Sequence, residues 1–188
     1  QRETKIRRLE ALAGKLEGYE VSKGWRFRKV LRIECGYALP CGQRDHVRVE
    51  FALQAKPLNV KPAIGIAKFG AANAILNGVL TYSIDDLVAR KLLALAERRE
   101  GKDFYDVSFG LPMCKNILPA LKAALRMEEK TIGVGEFLEA CREHLNEADI
   151  EKLRNLTNPY IPVPNRPKSW QQLKNDLILK LELLQEKV

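Results

Sequence analysis

The stretch that decides the fold is YSIDDLVARKLLALAERREGKDFYDV, from Tyr82 to Val107. Ser83, followed three residues later by Asp86, forms a capping box and predicts that a helix begins here. Its apolar spacing predicts that the helix runs to about Arg99, and Gly101 is expected to stop it. A second helix is predicted directly after this turn.

This predicted helix–turn–helix corner gathers charged side chains. Lys91 and Arg98 are seven residues apart, which places them on one helical face two turns apart. Asp103 is expected to be the N-cap of the second helix, and Asp106 follows in its first turns. The corner can also be purely structural, with Asp103 as a cap and Arg98 paired with either acid.

The residues before this corner predict a helix and an antiparallel pair of strands. A helix is expected over 3–17, and alternating patterns over 25–38 and 47–51 predict two strands. One face of this pair is apolar, with Trp25, Phe27, Leu31, Ile33, Cys35, Val47, Val49 and Phe51. The opposite face carries Arg26, Arg28, Arg32, Glu34, Arg48 and Glu50. Proline and glycine indicate a loop-prone stretch over 57–70, and a short strand is expected over 79–82.

After the corner the pattern is helical. Amphipathic segments are predicted near 117–128, 135–145, 147–156 and 169–187, with a proline-rich connector at 158–167. The sequence therefore predicts an α+β fold with a small, twisted mixed sheet and helices on one face. We expect residues 1–112 to form the core and residues 113–188 a helical C-terminal region.

Composition narrows the class of partners. The chain has 188 residues, and its 32 basic and 24 acidic residues give a net charge of +8, which favours polyanions such as nucleic acid or nucleotide phosphates. No stretch is apolar enough to span a membrane and no signal peptide is visible, so a cytoplasmic location is expected.

Four cysteines and two histidines show no metal-site spacing, which argues against zinc. Gly65 and Gly70 are spaced as in a phosphate loop, but the Lys and Ser or Thr that such a loop needs are missing.

The corner resembles a motif of the AbiEii/AbiGii-type nucleotidyltransferase toxins, within the minimal-nucleotidyltransferase and DNA-polymerase-beta-like superfamily. The match consists of Lys91, the pair Ala94-Leu95, Arg98 and the ending at 102–106, which reads KDFYD. Lys102 stands where the family usually has Arg. The resemblance implies a nucleotidyltransferase-type sheet in residues 1–112.

The resemblance also implies roles for the residues of the corner. Lys91 would contact the triphosphate of an NTP substrate, and Asp106 would orient or deprotonate the acceptor hydroxyl. Arg98 would hold these acids or the phosphates, and Asp103 would be structural.

A further acidic position is implied upstream, where Glu50 in the stretch Val49-Glu50-Phe51 would support Mg²⁺. We expect the face with Arg48 to receive nucleotide or RNA backbone. The implied activity is nucleotide transfer from NTP to an RNA acceptor such as tRNA, in a toxin–antitoxin or phage-defence system with a possible antitoxin partner.

The metal-binding motif of the family is missing before Glu50. It consists of a Gly-Gly or Gly-Ser turn followed by Asp-x-Asp or Asp-x-Glu, and nucleotidyl transfer needs such carboxylates to hold metal. Either the chain begins after this motif, which the first residue Gln1 favours, or it is a family member that has lost catalysis. We therefore expect residues 1–188 to be inactive in transfer when alone but to bind NTP weakly. The alternatives are a non-catalytic nucleic-acid-binding or scaffold protein, or a last helix that docks on a protein partner.

Overall fold

The computed structural model of the chain describes residues 2–15, 17–26, 30–52, 63–69, 74–98 and 100–188. Helices and strands occupy separate stretches, which confirms the α+β class. Contacts divide the chain into two compact units, residues 1–56 and 57–188. This division differs from the expected boundary after residue 112, because the corner shares a hydrophobic core with the C-terminal helices.

The first unit contains one helix and three strands within its described residues. They are α1 (Arg2–Ala13), β1 (Glu20–Arg26), β2 (Val30–Ala38) and β3 (Arg44–Ala52). The alternating run over 25–38 is therefore shared between two strands, which pair with each other. The face assignments of Trp25, Arg26, Phe27 and Arg28 lie outside the side chains that the structure describes.

The central strand β2 pairs antiparallel with both neighbours. Its buried residues Leu31, Ile33 and Cys35 cluster with Ala13 of α1. This confirms the apolar face predicted for β2. Gly42, at φ 81°, makes the tight turn to β3, where a left-handed conformation favours glycine.

The second unit begins with β4 (Ala63–Phe69) and β5 (Ala74–Thr81), which pair antiparallel. The loop predicted over 57–70 is thus wrong for residues 63–69. Between the pairs Gly65–Val79 and Ala67–Leu76 the register shifts by one residue, and the extra residue lies on β5, as in a β-bulge. The strand expected over 79–82 is the end of β5.

Every strand pair among the described residues is antiparallel, so the expected mixed sheet is corrected to two antiparallel ones. The strands within each sheet follow one another closely in the sequence. Short connections join antiparallel strands, whereas parallel strands need a long crossover connection.

Six helices complete the second unit within its described residues. They are α2 (Ile84–Arg98), α3 (Gly101–Gly110), α4 (Ile117–Met127), α5 (Val134–Glu147), α6 (Ile150–Thr157) and α7 (Trp170–Gln185). The capping box is confirmed: the Asp86 backbone N–H donates to Ser83 Oγ (3.1 Å), and this hydroxyl donates to the Asp86 carboxylate (2.8 Å). The four predicted C-terminal helices are confirmed as α4–α7, and the connector holds two short 3₁₀ turns, Asn158–Tyr160 and Val163–Asn165.

The turn between α2 and α3 is backed by α6. A Cβ at Gly101 would lie 2.1 Å from Thr157 Oγ1 and 2.6 Å from the Leu153 carbonyl oxygen. Only glycine allows this approach of backbone to backbone. On the buried side of α3, Phe104 packs against Trp170 of α7, with ring centroids 6.0 Å apart.

Among the helices that the structure describes, none is long and apolar enough to cross a membrane.

Candidate functional site

The corner between α2 and α3 brings three of the predicted site residues together. Lys91 Nζ lies 2.8 Å from Asp103 Oδ1 and 2.7 Å from Asp106 Oδ2. Asp103 and Asp106 are three residues apart on α3 and so share one face of the helix. A single ammonium on α2 therefore joins two carboxylates of α3.

The two acids differ sharply in burial. The side chain of Asp103 is 2% exposed, whereas that of Asp106 is 46% exposed and that of Lys91 is 39% exposed. Asp103 Oδ2 is buried and finds no hydrogen-bond partner among the described residues. Asp103 is therefore a buried carboxylate whose charge is balanced by Lys91, whereas Asp106 is accessible to another molecule.

The pKa of Lys91 follows from opposing effects. Burial alone lowers it, but the hydrogen bonds to Asp103 and Asp106, together with the charges of both acids, outweigh burial and raise the pKa above its usual value. Lys91 is therefore a permanent cation at neutral pH. Of its three N–H donors, two are used by the acids and one is left for a further acceptor.

The predicted cap role of Asp103 is wrong. The helix α3 begins at Gly101, and its N-cap is Glu100, which makes no side-chain cap hydrogen bond. Asp103 is the third residue of α3, and its carboxylate points to Lys91 because a buried charge requires a counter-charge.

A cleft of about 400 Å³ opens beside this corner, and we refer to it as the Lys91 cleft. Besides Lys91 and Asp103, it is lined by Tyr82, Leu87, Arg90, Leu93, Ala94, Glu97, Arg98, Ala124 and Glu128. Its volume lies in the range of small-molecule sites.

Arg98 lines this cleft and is exposed, as a phosphate contact requires. It forms no ion pair with Asp103 or Asp106 in the part of the chain that the structure describes. The expectation that Arg98 holds the acids is therefore corrected, because Lys91 already lies between them. Its predicted contact with phosphates stays a prediction.

Sequence reasoning did not single out Arg90, which lines the cleft. Its guanidinium lies over the ring of Tyr82, and both residues line the cleft beside Lys91. The two are eight residues apart and belong to a loop and a helix, so no rule of helical spacing pairs them. The only signal in the sequence was that Arg90 is a basic residue directly next to Lys91.

Glu50 and Arg48 belong to the first unit, where both are ion-paired. Arg32 donates to Glu50 Oε1 from Nε (3.0 Å) and from Nη2 (2.8 Å). Arg48 donates to Glu34 (2.9 Å). The register that sets Arg32 opposite Glu50 and Glu34 opposite Arg48 produces these pairs.

The face predicted to bind RNA therefore carries its own counter-charges at Arg32 and Arg48. Two predictions stay untested: that Arg48 binds phosphate, and that Glu50 lies near Lys91.

The family model described as "Nucleotidyl transferase AbiEii toxin, Type IV TA system" matches residues 3–188. The match covers nearly the whole chain, and the chain therefore belongs to the AbiEii nucleotidyltransferase toxin family. This confirms the resemblance drawn from the corner motif. No curated protein and no solved structure gives a significant match.

The resemblance implies Mg²⁺ supported by Glu50, and that expectation stays a prediction. The acids of the corner do not fit such an ion. An ammonium contacts one oxygen of Asp103 and one of Asp106, and the second oxygen of Asp103 is buried. A protein-bound Mg²⁺ usually keeps several water ligands. The buried Asp103 Oδ2 leaves no space for those waters. Within the described ranges, no three His, Cys, Asp or Glu side chains form a group that could hold a metal ion.

Proposed function

We propose that the protein transfers a nucleotide from an NTP to a hydroxyl of an RNA acceptor such as tRNA, and that the Lys91 cleft binds the phosphates. The observation that carries this proposal is the pairing of Lys91 with a buried and an exposed carboxylate, in the corner that resembles the family motif. Lys91 retains one N–H for a phosphate oxygen. Arg98, exposed on the same cleft, adds a second positive charge.

In this reaction the acceptor hydroxyl oxygen attacks the α-phosphorus of the NTP. The bond between the α-phosphorus and the bridging oxygen breaks, and pyrophosphate leaves. Asp106 orients the hydroxyl and accepts its proton, which is consistent with the half-exposed carboxylate. Asp103 acts as a positioning residue, because its buried ion pair fixes Lys91. Most of the catalysis in such a transfer comes from positioning and from charge stabilisation.

The RNA acceptor is supported by the net charge of +8, since a basic protein attracts a polyanion. An antitoxin partner is proposed from the description of the family as part of a type IV toxin–antitoxin system. A requirement for Mg²⁺ stays a prediction, to be tested by omitting the ion from the assay.

The test is incorporation of α-labelled NTP into bulk tRNA by the protein expressed from its complete reading frame. Asp106→Asn should lower the rate about 10²–10⁴-fold, the usual effect of removing a general base, with little change in stability. Asp103→Asn should instead lower the unfolding temperature. Asp176→Asn, an exposed carboxylate on α7, is the matched control and should change neither.

Two outcomes would contradict the proposal. If Asp106→Asn retains full activity, Asp106 is not the base. If RNA binds but no label is incorporated under any condition, the non-catalytic nucleic-acid-binding alternative is correct.

A further inference from the structure

Tyr82 and Arg90 form a preassembled pair on the wall of the Lys91 cleft. The guanidinium carbon of Arg90 lies 5.3 Å from the centroid of the Tyr82 ring, and its Nη1 donates to the Tyr82 hydroxyl oxygen at 3.4 Å. Both side chains are half-buried. The cation–π contact with the ring restricts the guanidinium and leaves free every N–H group except the one that the Tyr82 hydroxyl accepts.

Arg90 brings an uncompensated charge into the cleft. Among the described residues it forms no ion pair with a carboxylate, whereas Lys91 is bound by two. The nearby Glu97 is taken by Lys130, at 2.8 Å. Of the five N–H donors of a guanidinium, the Tyr82 hydroxyl accepts one, so an edge with several donors remains for an anion.

The chemistry of this free edge selects its ligand. A planar guanidinium fork binds two oxygens of one phosphate or carboxylate group in parallel. The cleft is lined by three basic residues, Arg90, Lys91 and Arg98, and by three acids, Glu97, Asp103 and Glu128. Two of these acids are paired, Asp103 with Lys91 and Glu97 with Lys130, so Arg90 and Arg98 keep positive charge for a ligand. A ligand with several linked phosphates can meet both guanidinium groups, which a single anion cannot.

We infer that Arg90, held against the ring of Tyr82, is a phosphate-binding residue that grips the polyphosphate of the substrate beside Lys91. Tyr82 is a positioning residue that keeps the guanidinium in place. The identity of the ligand as a nucleoside triphosphate rests on the proposed function, but the assignment of a polyphosphate site at Arg90 rests on the geometry of the cleft alone.

The experiment measures the Kd of inorganic tripolyphosphate and of the four NTPs by calorimetry at fixed, low ionic strength. Arg90→Gln should weaken binding about tenfold or more, as expected when a charge-assisted hydrogen bond is lost. Arg90→Lys keeps the charge but loses the fork and the stacking, and should still weaken binding several-fold. Tyr82→Phe keeps the ring and should stay near wild type, whereas Tyr82→Leu should weaken binding as Arg90→Lys does.

Arg154→Gln, at an exposed position on α6 outside the cleft, is the matched control for loss of one charge. Each variant is first checked by thermal unfolding, and Arg90→Lys keeps the test valid if Arg90→Gln fails to fold. The inference is overturned if Arg90→Lys binds tripolyphosphate as well as wild type does. It is equally overturned if Arg154→Gln loses as much affinity as Arg90→Gln, or if wild type does not bind tripolyphosphate.

This outcome is separable from that of the transfer assay. Binding of tripolyphosphate that depends on Arg90, without incorporation of label into RNA, would refute the proposed function and leave the phosphate site in place. Active transfer with an unchanged KM for NTP in Arg90→Gln would refute the phosphate site alone.

Discussion

Replacement of Lys91 by Met should destabilise the protein through Asp103. The change removes the counter-charge of a carboxylate that is only 2% exposed and leaves it buried and unpaired. Breaking a buried pair by removing one partner costs about 3–5 kcal/mol. Because Lys91 is itself 39% exposed, the lower end applies, and we expect a loss of about 3 kcal/mol.

This loss should be recovered largely by a second substitution, Asp103→Asn, which removes the stranded charge. A double-mutant cycle in urea, analysed for the second unit, measures the coupling, which we expect to be about 2 kcal/mol and favourable. In thermal unfolding the Lys91→Met variant should melt about 6–12 °C lower, at about 2–4 °C per kcal/mol for a protein of this size.

Asp106→Asn is the matched control of this cycle, because its partly exposed ion pair with Lys91 is worth about 0–1 kcal/mol. The reasoning would be refuted if Lys91→Met cost less than about 1 kcal/mol, or if Asp103→Asn added to the loss where compensation is expected. In that case the Asp103 carboxylate would be stabilised by something other than Lys91.

Three further predictions concern the glycine at the corner and the thiols. Gly101→Ala should lower the unfolding temperature by several degrees, because its Cβ would meet backbone atoms of α6, while Gly133→Ala, where the Cβ meets open space, should not. Burial raises the pKa of Cys114 and of Cys141 to about 12, and at Cys114 the charge of Asp85 adds to this effect. Exposed Cys41 should therefore react first with iodoacetamide at pH 8. Faster alkylation of Cys141 would contradict its burial. Since the unfolded thiols ionise near pH 9, the unfolding free energy should fall as the pH rises from about 9 towards 12, and a flat profile in urea titrations would argue against these pKa values.

Local patterns predicted the helices well, because caps and apolar spacing are short-range features. The Ser83 and Asp86 box and the four C-terminal helices follow from residues within a few positions of each other. The role of Asp103 was missed for the opposite reason. The pattern of a glycine followed by Asp predicts an N-cap, although the same Asp can instead be the third residue of the helix. Only the burial of the side chain distinguishes these two positions.

Contacts across elements were the part that sequence could not supply. The charged face of β2 and β3 was predicted, but its pairing of Arg32 with Glu50 depends on the strand register, which no residue pattern specified. The pairing of Tyr82 with Arg90 depends on where the chain lies just before α2. Gly65 within β4 was taken as a loop signal because glycine also marks turns, although it pairs with Val79 in the strand ladder.

The close approach at Gly101 bears on how far the corner could be cut out of the chain and reused. Its bend is pressed directly against the backbone of α6, and the buried side of α3 is covered by Trp170, almost seventy positions downstream of the bend. A peptide limited to 82–107 would contain every charged group of the corner but none of the surfaces that hold its two helices at their angle. The corner motif therefore cannot be moved by itself into another protein. A fragment that keeps its geometry must extend through α7. A graft onto another scaffold must supply a backbone segment that packs against the glycine and an aromatic ring that covers α3.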